Sequence, residues 1–139
     1  MDLNKLKTNK AKEAEGVWID GPDDVKIKVT RWFNQKHKEY LTKNGSQIRA
    51  LAAVGMPIES ESIALNRKAV ANCILLDWKN VQMDGKDLTP YKALDAEAVF
   101  EQVPDFFQFV ITAAQDMQNF RDEAVAGKQQ SSGKQPSGT

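Results

Sequence analysis

Side chains able to do chemistry near neutral pH are scarce in this sequence: His37 is its single histidine and Cys73 its single cysteine. A catalytic site needs a nucleophile, a base, a metal cage or a phosphate cradle. No HExxH, CxxC or GxxxxGK(S/T) pattern occurs, and with one histidine and one cysteine a zinc site would have to rest on carboxylates. Carboxylate pairs are present at Asp23-Asp24, Glu59 with Glu61, and Asp122-Glu123. All lie at expected turns or helix ends, where solvation and pairing with the helix dipole account for them. The expectation is a protein that is not an enzyme, with no catalytic, cofactor-binding or metal-ligating residue.

Cys73 sits within the apolar run 70–76, the setting of a buried, inert thiol. One cysteine allows no disulfide within the chain. The first residues, MDLNKLKTNKAKEAEG, carry charge but no apolar stretch, so they do not read as a secretory signal. No run approaches the eighteen or so apolar residues of a membrane span. These features imply a cytoplasmic setting and no membrane partner.

The next chemistry to weigh is phosphate binding. Residues 25–50 hold seven Lys or Arg against one acid, Glu39, together with Trp32, Phe33 and Tyr40. A basic surface with stacking rings suits a nucleic-acid backbone. Against this, the 19 basic and 19 acidic residues of the whole chain cancel, and residues 51–127 carry twelve acids against six bases. Lys26 and Lys28 then read as the outer face of a strand, and Trp32, Phe33 and Tyr40 as core at a corner of the fold. No nucleic-acid partner is expected.

The elements that would position these residues follow from periodicity. With 41% hydrophobic residues among 139, the chain can build one domain with a core. Val25, Ile27 and Val29 alternate with polar residues, and Gly21-Pro22 separates them from Val17-Trp18-Ile19, which predicts a hairpin. Such a hairpin is marginal alone and must pack on helices. Asn34 is expected to cap a helix over 35–43, ended at Asn44-Gly45. A short helix over 47–54 should end at Gly55. Pro57 should open a central helix whose apolar stripe runs Ile63, Val70, Ile74 and Trp78. Asp84-Gly85 makes a tight turn, closing either a small hairpin or a loop. Asp95 is expected to cap a helix over 96–102, and Pro104-Asp105 to start the last helix. There Phe106, Val110, Ala113, Met117, Phe120 and Ala124 follow a four-three spacing, the strongest periodic signal in the chain.

The fold class is therefore α+β, mainly helical, with an N-terminal β-hairpin packed on a small helical bundle. Residues 1–15 are expected as a flexible segment, 16–126 as a single domain, and 127–139 as a disordered polar tail. Expected core positions include Val25, Ile27, Val29, Ile74, Val110, Ala113, Met117 and Phe120. Three phenylalanines among residues 106–109 cannot all face one way on a helix, so one belongs at a rim where a partner can meet it. An apolar groove edged by those of Trp18, Trp78, Phe106 and Phe107 that remain exposed is the expected partner-binding site.

Several segments, in order, resemble the tail assembly chaperone family of long-tailed bacteriophages. They are Gly16-Val17-Trp18-Ile19, 25–31 (VKIKVTR) and 33–36 (FNQK), then 71–81 (ANCILLDWKNV), Asp84-Gly85-Lys86 and Leu88-Thr89-Pro90-Tyr91. Residues 104–110 (PDFFQFV), Phe120-Arg121-Asp122-Glu123 and a Lys-containing tail complete the series. The Leu-Asp-Trp-Lys element, followed by a Gly turn, Pro-Tyr and a Pro-Asp-Phe helix, is its most specific part. The chain has Asn34-Gln35 where the family commonly has Asn-Pro, and residues 47–56 match nothing in it. The resemblance implies a protein of the host bacterial cytoplasm that binds the tape measure protein and keeps it soluble. It also implies recruitment of tail tube protein, self-association along the client, and absence from the mature virion. The rival readings are a structural minor tail or tube-connector protein retained in the particle, and a nucleic-acid-binding accessory protein.

Overall fold

The computed structural model describes residues 1–122. The tail expected over 127–139 and the seam position Ala124 lie outside the described residues. The architecture is α+β and mainly helical, with the expected hairpin: β1 (Val17–Asp20) pairs antiparallel with β2 (Lys26–Val29). Ile27 and Val29 are fully buried, whereas Lys26 is exposed and Lys28 half-buried on the opposite face. One face of the sheet thus packs on the core and the other meets solvent.

The expected central helix is shorter than its apolar stripe. After α1 (Lys10–Glu15), α2 (Gln35–Asn44) and α3 (Ser46–Ala53), α4 covers Glu59–Ala69. A π-helical turn follows at Val70–Ile74, and the chain then becomes a strand, β3 (Leu75–Lys79), on the free edge of β2. The apolar run 70–76 satisfies either period, and the edge decides: β2 presents a row of backbone groups that need partners, and a third strand supplies them. Val29 pairs with Leu75 but Lys28 with Asp77, which leaves Leu76 as an extra residue in a bulge. That single insertion lets Leu75 and Trp78, three apart, both face the core, where each is 1% exposed.

Asp84 (φ 54°) and Gly85 (φ 75°) form the tight turn between β4 (Gln82–Met83) and β5 (Lys86–Asp87), so the open choice resolves as a hairpin. The helix α5 (Ala93–Gln102) begins three residues before the expected start, with Asp95 inside the first turn rather than at the cap. Its carboxylate still lies at the positive end of the helix. The last helix, α6 (Pro104–Gln115), starts at Pro104 as expected but does not run through the seam. Asp116 is extended, and its side chain accepts from the Gln118 N–H to cap a 3-10 turn at Met117–Phe120. The local side-chain bond wins over helix continuation. The buried face survives the break: Val110 and Phe120 are fully buried and Ala113 is 6% exposed.

Residues 1–15, expected as a flexible segment, are tied to this C-terminal turn and to the residue Arg31 just after β2. The Asn9 N–H donates to the Phe120 carbonyl at 2.6 Å, the Lys12 ammonium to the Arg121 carbonyl at 2.9 Å, and the Arg31 N–H to the Glu13 carbonyl at 3.0 Å. Their sequence lacks large buried side chains, so the attachment is made by polar groups that hydrophobic periodicity does not register.

Candidate partner-binding surface

The four aromatics expected to edge a groove are divided by the sheet. Trp18 faces outward from β1, directly across from Lys28, and is 41% exposed, with the Lys79 ammonium 4.5 Å from the centre of its ring. Trp78 lies on the other face and is 1% exposed, so it is out of a partner's reach. Its indole N–H donates to the Leu88 carbonyl at 3.0 Å, and Tyr91 meets its ring edge-on at 4.9 Å. Phe106 and Phe107 are half-buried; Phe107 lies 4.7 Å from Phe100, and Phe106 lies 6.2 Å from both Trp78 and Phe109. Three of the four therefore belong to one aromatic cluster of the core, and Trp18 stands apart from them.

The corner after β2 also departs from expectation. Trp32 is partly buried against the core and Tyr40 half-buried, but Phe33 is 54% exposed. Phe33 takes a left-handed backbone (φ 59°), which turns the chain into α2 and carries its ring outward. His37 is fully buried beneath the corner, 4.6 Å from Trp32 and 5.4 Å from Phe33. Burial holds its pKa below the ordinary histidine value. Burial likewise pushes the Cys73 thiol and the Tyr91 hydroxyl up. Each of these groups is held in its neutral form by packing, and His37 and Tyr91 have structural hydrogen bonds, to the Phe33 N–H and the Ala71 carbonyl. Among the described residues no group of three or more His, Cys, Asp or Glu is placed to hold a metal ion. No helix there is long and apolar enough to cross a membrane.

What the sequence did not point to is a surface built by residues 41–66. The helix α3 buries none of its side chains fully, although it carries Ile48 and Leu51. Val54, Met56 and Ile63 are 74%, 53% and 45% exposed. Between α2, α3 and α4 lies an open cleft of about 310 Å³, lined by Leu41, Gly45, Ile48, Arg49, Ser62, Leu65 and Asn66. Periodicity identified each of these helices but gave no sign of how far α3 stands off the domain. The available signal was the excess of apolar residues over 48–58 with no strong helical stripe to bury them.

Fold and surface together define a small α+β domain that leaves several large apolar side chains exposed, and comparison with known proteins gives its origin: the chain is phage-derived. Residues 29–133, about three-quarters of the sequence, match the family described as YdaY prophage protein, and the chain belongs to that family. No curated protein and no solved structure matches it.

Proposed function

We propose that this protein is a tail assembly chaperone of a long-tailed phage, acting in the host cytoplasm. In this reading it holds the tape measure protein soluble, helps bring tail tube subunits to it, and leaves before the virion is complete. It works by binding alone and catalyses nothing. The observation that carries the proposal is the exposed apolar surface formed by Val54 and Met56 after α3 and Ile63 on α4, in a chain of prophage origin. Holding an extended helical client needs apolar side chains that the domain itself leaves uncovered, and modest affinity at each contact. Val54, Met56 and Ile63 supply such side chains, while Ile48 and Leu51 of α3 are half-buried.

The test is co-expression of the chain with the tape measure protein of the same prophage. Soluble tape measure protein that co-purifies with the chain is the expected result, and an unchanged insoluble fraction would reject the proposal. Mass spectrometry of purified virions adds a second check. A chaperone is missing from the particle, whereas a minor tail or connector protein is retained.

A further inference from the structure

The cleft between α2, α3 and α4 has a one-sided chemistry. Leu41, Ile48 and Leu65 supply apolar walls, and the charged residue of its lining is Arg49. Arg49 is held in place by the last turn of α2: its Nη2 donates to the Thr42 carbonyl at 3.1 Å. Gly45 makes that approach possible, since a Cβ there would come within 2.7 Å of the Leu41 carbonyl oxygen and 3.0 Å of Arg49 Nη1. A guanidinium has five N–H donors in a fixed fork, so most remain available to a carboxylate. Lys43, in the same last turn, adds to the positive potential, and among the described residues no acidic side chain lines the cleft.

Size narrows the occupant further. An apolar cavity of about 150 Å³ takes a benzene ring, so about 310 Å³ has room for two large side chains. Two apolar side chains on one face, three or four residues apart, are what an amphipathic helix presents to a groove. We propose that the cleft receives an amphipathic helix of the tape measure protein. That helix inserts two apolar side chains one turn apart and places a carboxylate on Arg49. This assignment rests on the chaperone reading and adds to it the site, the client's pattern and the sign of its charge.

The experiment uses the full chain co-expressed with the tape measure protein, with a photo-crosslinking residue in place of either Ser62 at the cleft or Lys28 on the outer sheet face. Crosslinks to the tape measure protein from position 62 and not from 28 are expected. The crosslinked client peptide should carry apolar residues at helical spacing beside an Asp or Glu. Arg49→Glu should lower the yield of soluble client about tenfold, the scale of one lost charge pair at a binding site. Changing the identified client acid to Arg should restore it. Because Arg49 also bonds α2, Ile48→Asp is a second variant, and circular dichroism must show each still folded. If wild type fails to solubilise the client, the chaperone reading falls. If wild type succeeds but crosslinks come from 28 alone, or join two copies of this chain at 62, the cleft assignment is overturned and the chaperone reading stands. Folded variants that solubilise the client as well as wild type would overturn it too.

Discussion

The backbone N–H of Phe33 donates to Nδ1 of His37 at 3.1 Å, so a buried imidazole four residues ahead holds the left-handed turn that opens α2. Nδ1 must be unprotonated to accept, which fixes the neutral tautomer with its hydrogen on Nε2. Asn34 completes the corner, its side-chain oxygen accepting from the His37 N–H at 3.0 Å.

Stability should therefore fall with acid in the histidine range. The folded-state pKa of His37 lies below the ordinary value because burial disfavours the charged form. Below about pH 6.5 the unfolded chain takes up a proton that the folded chain refuses, so the contribution is present above that pH and lost as pH falls through it. Urea unfolding at pH 7.5 and 5.5 should show a lower midpoint at 5.5. His37→Gln, whose amide oxygen can accept the same N–H without titrating, should flatten that difference. An unchanged difference would show that another group is responsible.

The two tryptophans of the sheet should respond to truncation with losses of very different size. Trp78→Ala empties a fully packed site and leaves the Leu88 carbonyl without its donor; a loss of about 3–5 kcal/mol is expected. Trp18→Ala removes a half-exposed ring and one cation contact with Lys79, worth about 1 kcal/mol or less. Ile74 and Phe120, both fully buried, should each cost about 2–5 kcal/mol as alanine. Chemical denaturation ranks all four.

The contrast between Trp18 and Trp78 shows what the sequence carried and what it did not. Alternation over 25–29 is a local signal, and it placed Ile27 and Val29 on the buried face correctly. The faces of α6 followed in the same way from spacing. The strand at Leu75–Lys79 was hidden because its apolar residues obey a helical period, and what selects a strand is the open edge of β2, about fifty residues away. The bulge at Leu76 then inverts the alternation that would have placed Trp78. The cleft beside Arg49 was out of reach for a related reason. It depends on how α3 leans on α2 and α4, which is a matter of packing angle and loop geometry rather than of any residue's type.

Gly85 tests the small hairpin. Its φ of 75° follows Asp84 at 54°, two consecutive left-handed residues that a β-branched side chain resists. Gly85→Val should cost about 1–2 kcal/mol of strain, although nothing lies within 4 Å of a Cβ placed there. Gly85→Asn, which tolerates this region, should cost less than half as much. Equal losses would show that the turn is not the source.

Asn9 makes three separate bonds, two of which join the ends of the described chain, and they can be taken apart. Its N–H donates to the Phe120 carbonyl at 2.6 Å, its side-chain oxygen accepts from the Lys12 N–H at 3.1 Å, and its amide donates to Asp122 at 2.8 Å. The first bond belongs to the backbone and survives any substitution except proline. Asn9→Ser keeps a cap for α1 and loses only the exposed contact with Asp122, so it should cost a few tenths of a kcal/mol, the scale of a surface bond. Asn9→Ala also uncaps the helix and should cost about 1 kcal/mol, a fall in Tm of about 4 °C for a domain of this size. Asn9→Pro removes the backbone donor as well and leaves the Phe120 carbonyl without this partner, so its loss should be the largest, about 2–3 kcal/mol. Thermal unfolding of the three variants should follow that order. Three indistinguishable melting curves would mean that Asn9 contributes nothing to the fold and that its bond to Phe120 does not hold in solution.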